Sequence, residues 1–118
     1  MMLEPLISQY NHETRTTRRL LERIPADRFE WRPHPKSFTA GGLASQIVDC
    51  VNWIDPIFTL FDEKVTSGKV RLERPKAEAF RDFTLSHMIH HRGQLSVYLR
   101  LLEVPVPGAY GPTADERS

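Results

Sequence analysis

Only one cysteine, Cys50, occurs in the 118 residues, so no intrachain disulfide can form and stability must come from packing. Such usage fits a reducing compartment, and the cytoplasm is the expected location. An excess of charge of one sign is also lacking: 16 Lys and Arg stand against 15 Asp and Glu, a formal net charge of +1. Attraction to phosphate polyanions or to an anionic membrane needs a basic excess, so neither nucleic acid nor membrane is an expected partner. No apolar run approaches the ~20 residues that a spanning helix requires. The opening Met1-Met2-Leu3-Glu4-Pro5 lacks the basic-then-apolar layout of a secretory signal. Internal repeats, low-complexity tracts, phosphate-cradling glycine loops, zinc knuckles and serine-nucleophile elbows are all missing. A chain of this length buries its apolar surface around one core, so one domain over residues 1–118 is expected.

What is present is helical patterning. Leu3, Ile7, Tyr10, Thr14, Thr17, Leu21 and Ile24 recur in steps of three and four, which lines one side of a first helix. Glu13, Arg15, Arg18, Arg19 and Glu22 then form its solvated side, with Arg18 and Glu22 at helical neighbour spacing. Pro25 stops the helix because it cannot donate the next backbone hydrogen bond. In the connector Ala26–Phe38, Trp31, Pro33 and Pro35 exclude regular helix. Thr39 or Ser37 is placed to cap a second helix with an apolar stripe of Leu43, Ile47, Cys50, Val51 and Ile54. Asp55-Pro56 reads as a stop and restart, and a short third helix is expected from there to Ser67, ending at Gly68. The last helix is expected from near Pro75 to Leu102, followed by a loop over residues 104–118 that packs by Tyr110 before fraying. The fold class is all-α.

On a helical wheel, Phe80, Thr84, His87, His91, Gln94, Tyr98 and Leu102 fall within about 40° of one line, so both His87 and His91 are expected to point inward. One turn apart, two imidazole nitrogens can converge on one ion, and a shared cation compensates the desolvation of both rings. The bland alternative is a pair of neutral core histidines bonded to carbonyls or to Thr84 and Gln94. His90 belongs at the edge of the stripe, His12 on the solvated side of the first helix, and His34 in the proline loop. Cys50 reads as a small buried hydrophobe. The Arg15, Arg18, Arg19, Arg23 group is broken by acids and has no interleaved aromatics, which makes it a solvated face, not a phosphate-binding patch.

The stretch Leu85-Ser86-His87-Met88-Ile89-His90-His91-Arg92-Gly93-Gln94-Leu95-Ser96-Val97-Tyr98-Leu99-Arg100 resembles the closing helix of the DinB family. Val104-Pro105-Val106-Pro107-Gly108, Tyr110-Gly111-Pro112 and Ala114-Asp115-Glu116 are similar to the tail of that family, and Trp31-Arg32-Pro33-His34-Pro35-Lys36-Ser37 to its first connector. The resemblance implies an up-down four-helix bundle, often dimeric, holding a divalent metal, zinc or nickel, on three histidines. Two of these correspond to His87 and His91. The third follows a Leu-Ala-x run on the second helix, here Leu43-Ala44-Ser45, and its position is taken by Gln46. An amide oxygen is a weak ligand for zinc or nickel, so this departure lowers the expected affinity. Cys50, one turn further on, offers a substitute ligand but fits packing equally well. A second departure is the short span between Pro56 and Pro75, which leaves room for only a shortened or missing third helix.

Two functional readings follow. One is a metal-site protein related to metal-dependent hydrolases and small-thiol-dependent transferases, acting on a small-molecule substrate, with His87, His91 and Gln46 around the metal. The other is a non-catalytic binding or self-association module that keeps the bundle, and a homodimer is expected in either case. DNA binding is disfavoured by the near-neutral, mixed-sign helices.

Overall fold

The computed structural model describes residues 4–52, 66–67, 70–71, 78 and 80–116. Helix α1 spans Glu4–Leu21 and ends with Arg18 and Arg19 in its last turn, where cations complement the carbonyl end of the helix dipole. Arg18 and Glu22 pair at 3.1 Å, as their spacing predicts. The buried side of α1 differs from the sequence expectation. Glu13, Thr16, Thr17 and Leu20 are buried, as is Ile24 beyond the helix end, whereas Ile7 is 54% exposed. The stripe is therefore turned by about one position, and Glu13 lies inside the protein instead of on the solvated face. A buried cation on the closing helix, Arg92, holds Glu13 and Thr17 in the interface.

The connector forms successive turns, with Arg28 N–H donating to Pro25 O at 3.0 Å, Trp31 to Arg28 at 3.1 Å and Ser37 to His34 at 2.9 Å. It is stitched to the start of the next helix by Ala40 N–H to Trp31 O at 2.8 Å and Gly41 N–H to Phe29 O at 2.9 Å. A side chain at Gly41 would press on that Phe29 carbonyl, 3.1 Å from its first carbon, so the close approach favours glycine. Helix α2 spans Ala40–Asn52, and Thr39 caps it by accepting Gly42 N–H at 3.0 Å. Ala40, Leu43, Ile47 and Cys50 are its buried face; the last three belong to the predicted stripe, Val51 is partly buried, and Ile54 lies outside the described residues.

The expected third helix falls largely outside the described residues, but its expected end does not hold. Thr66–Ser67 forms strand β1, paired antiparallel with β2, Val70–Arg71, in the register Thr66 with Arg71 and Ser67 with Val70.

The closing segment is π-helical over Phe80–Ser86 and continues as helix α3, His87–Leu101. It is the central element: α2 packs on α3 and on the π-helical stretch, and α1 packs on α3. Met88, Leu95 and Leu99 from α3, Leu43 and Ile47 from α2, and Leu20 from α1 build the core. The helix stops in a Schellman arrangement, with Glu103 N–H on Arg100 O at 3.1 Å and Val104 N–H on Leu99 O at 3.0 Å. Glu103 occupies the left-handed position, φ 62°, where glycine is the usual residue.

The tail does not fray where described. Asp115 accepts two hydrogen bonds from Arg100, at 3.2 and 2.7 Å, and a third from Val106 N–H at 3.0 Å. Thr113 donates to Val106 O at 2.6 Å, and Glu116 receives Gly108 N–H at 2.9 Å. These bonds fold residues 104–116 back along α3 and seat Val106 in the core. Among the described residues no helix is long and apolar enough to cross a membrane.

Candidate functional site

The buried seam of α3 runs through Met88, Arg92, Leu95 and Leu99. At about 100° per residue, His91 lies about 60° and His87 about 100° from Met88 around the helix, which puts one at the margin of the seam and the other on the flank. The structure agrees: His91 is 7% exposed, whereas His87 is exposed. The inward placement expected for both rings therefore holds for His91 and is corrected for His87. The wheel drawn from Phe80 assumes uniform α-helical turns. Residues 80–86 are π-helical, with bonds reaching one residue further, so the phase carried forward from Phe80 is displaced before His87 is reached.

The two rings nonetheless converge. Their Nε2 atoms are 2.9 Å apart, and the ring centroids are separated by 4.6 Å. On its other side, His91 Nδ1 lies 2.8 Å from Gln94 Oε1, an acceptor that favours the tautomer with the proton on Nδ1. His91 Nε2 then keeps its lone pair and accepts the Nε2–H of His87. Partial desolvation of the His87 ring, then His91 and His90 beside it, hold its pKa below the ordinary imidazole value of 6.5. Phe38 closes the outer side of His91 edge-on, with centroids 6.3 Å apart.

This geometry fits the first half of a metal site. Two nitrogens bound at about 2.0–2.1 Å in a tetrahedral sphere stand about 3.3 Å apart, a few tenths of an ångström wider than the pair already is. An acceptor on the distal ring nitrogen, here Gln94, is the usual support for a ligating histidine. No hydrogen bond among the described residues links the remaining sequence candidates to the pair. Gln46 is half-buried on α2, and its backbone carbonyl accepts the Cys50 thiol at 3.2 Å. Its side chain makes no hydrogen bond among the described residues. Cys50 is 2% exposed, and burial, then the Asp49 charge, raise its thiol pKa, so it packs as an inert hydrophobe. Thr84 is fully buried, and its hydroxyl has no hydrogen-bond partner among the described residues. It does not bond the histidines, whereas Gln94 does. His12, His34 and His90 are exposed, as their positions predict.

A second polar cluster went unread in the sequence. Arg92 Nη2 lies 2.7 Å from Glu13 Oε1, with the two side chains 3% and 5% exposed. Arg92 also donates to Glu13 O at 3.1 Å, Thr17 Oγ1 at 3.3 Å and the Tyr110 hydroxyl at 2.8 Å, and Tyr110 donates to Glu13 Oε2 at 2.7 Å. The position of Arg92 between Met88 and Leu95 on the apolar seam was the available signal.

Fold and site define a small helical protein carrying a helix-borne histidine pair braced by a glutamine. A sequence model of the DinB family matches residues 76–117, a span that contains both histidines, Gln94 and the fastened tail. The resemblance to that family is shown over this span. Uncharacterized protein YrdA of Bacillus subtilis is 47% identical over 34 residues, which are 29% of this chain and 20% of that relative. The match thus spans about a fifth of the relative's length. No solved structure matches the chain.

Proposed function

We propose that this protein is a DinB-like bundle whose His87–His91 pair holds a divalent ion, zinc or nickel, with chemistry related to metal-dependent hydrolases and small-thiol-dependent transferases. The observation that carries the reading is the 2.9 Å approach of the two Nε2 atoms together with the Gln94 brace. His91 supplies the rigid, buried ligand, and His87 supplies the exposed one through which a small-molecule substrate has access. Gln94 holds His91 in the tautomer that leaves Nε2 free. Gln46, on the helix packed against α3, takes the place of a third ligand and completes the sphere weakly. Once bound, the ion lowers the pKa of a water or thiol and so makes a nucleophile near neutral pH. In this reading the shortened middle of the chain leaves one side of an up-down four-helix bundle for a homodimer partner.

A second reading is favoured by one feature of the same pair. The two imidazoles satisfy each other by hydrogen bonding and need no ion to stay together. On that basis the protein is a binding or self-association module that retains the bundle without catalysis.

Metal titration by calorimetry on untagged, metal-stripped protein separates the two. The metal reading expects one zinc or nickel site per chain, lost on His87→Ala or His91→Ala and weakened about 10- to 100-fold by Gln94→Leu. It also expects Gln46→His to tighten the site. If the natural protein takes up no metal and only the Gln46→His variant does, the second reading stands.

A further inference from the structure

A cleft of about 390 Å³ opens beside the histidine pair, lined by Lys36, Ser37 and Phe38 from the connector and by Gln94 and Tyr98 from α3. Its volume is within the range of small-molecule sites. Both walls are preorganised. The connector wall is a tight turn, with Lys36 N–H on His34 Nδ1 at 3.1 Å, Ser37 N–H on His34 O at 2.9 Å and Arg32 bonded to Pro35 O at 3.2 Å. It is anchored to the helix wall by Tyr98, whose hydroxyl donates to Phe38 O at 2.9 Å and whose ring meets Trp31 edge-on.

The chemistry of the lining is one-sided. Lys36 has no ion-pair partner among the described residues, and no hydrogen bond there uses the Ser37 hydroxyl or the Gln94 amide nitrogen. Gln94 Oε1 is turned to His91, and its NH2 is an open donor for the cleft. Tyr98 has likewise committed its hydroxyl and offers a ring. Phe38 offers another, 47% exposed. Three open donors, one of them cationic, lie beside two aromatic surfaces, and no acidic side chain lines the space.

We infer that this cleft binds a small organic carboxylate with a flat apolar body, the carboxylate on Lys36, Ser37 and the Gln94 amide, the body against Phe38 and Tyr98. Bidding for the same acceptor atoms, the three donors recognise an anion better than its neutral amide. The inference rests on the metal reading in one respect: the carboxylate becomes a substrate because Gln94 and Phe38 also touch His91. Binding itself needs no ion and is measured without one.

The test is a titration of metal-stripped, chelator-treated protein with benzoate, benzamide and phenyl phosphate, followed by amide chemical shifts. Benzoate is expected to move the Lys36, Ser37 and Phe38 backbone signals and the Gln94 side-chain amide, and benzamide is not. Lys36→Met is expected to weaken benzoate roughly fivefold, the size of a partly exposed ion pair, and to leave metal affinity unchanged. Ser37→Ala gives a second, smaller loss. Equal binding of benzamide, unchanged binding in Lys36→Met, or no benzoate-induced shifts would overturn the carboxylate site. Tighter binding of phenyl phosphate would overturn it in favour of a phosphate ester. No metal uptake by the natural protein, with benzoate binding intact, removes only the metal reading.

Discussion

Truncating Glu13 isolates the charge that holds the closing helix to the first. In Glu13→Ala, the buried Arg92 guanidinium loses the one anion paired with it among the described residues, keeping the residue 13 backbone carbonyl, Thr17 and Tyr110. Breaking a buried pair by removing one partner costs about 3–5 kcal/mol. The three surviving hydrogen bonds put this case near the lower end, about 3 kcal/mol. Against the ~5–15 kcal/mol stability of a typical domain, that is a large share. Urea unfolding followed by helical circular dichroism should show the midpoint fall by roughly 1–2 M, and thermal unfolding should drop by about 10–15 °C. The double variant Glu13→Leu with Arg92→Met removes both charges and should regain most of the loss, since apolar side chains of similar volume replace buried pairs at little or no cost. A single-variant loss under about 0.5 kcal/mol, the scale of exposed pairs, would refute the argument. So would a double variant less stable than either single one.

Other outcomes follow from the same contacts. Glu103→Gly should stabilise the protein by about 1 kcal/mol in the same urea assay, because glycine adopts the φ of 62° without the steric penalty of a side chain. Gly108→Ala should release the tail, since the added carbon would overlap the Gly111 carbonyl and the Glu116 carboxylate; limited proteolysis should then cut within residues 104–116. Hydrogen bonding from Arg100 and then from Val106 N–H lowers the Asp115 pKa below its ordinary 3.8. The tail lock is therefore complete above that value and is lost as pH falls through the lower, folded-state pKa, with Asp115→Asn removing this acid-dependent step in amide exchange. If Asp115→Asn leaves the acid profile unchanged, the clasp contributes nothing.

Much of the architecture was legible in the chain because local rules act over one or two turns. Thr39 caps the second helix and the proline connector stays irregular, each for reasons carried by a few neighbouring residues, whereas the first helix ends at Leu21, ahead of the expected stop at Pro25. The Leu43, Ile47, Cys50 stripe reads correctly because α2 is regular throughout. The one-turn spacing of His87 and His91 also suffices to bring their ring nitrogens together. Helix phase was less accessible. Thr84 and His87 share one face only if the turns between them are α-helical, and the π-helical register changes that count. The strand at Thr66–Ser67 likewise depends on a partner that periodicity does not display.

By itself, then, the order of residues determined the helices, their caps and the pairing of two histidines one turn apart, since these depend on torsional preference and short-range spacing. Only the tertiary structure decided that Glu13 is an interior residue, that His87 stands at the solvent edge while His91 is enclosed, and that Gln94 braces one ring while facing a cleft with Lys36. Those outcomes are set by which distant groups meet. A carboxylate 79 positions from its arginine is surface or core according to where the two helices cross, and no local pattern encodes that crossing.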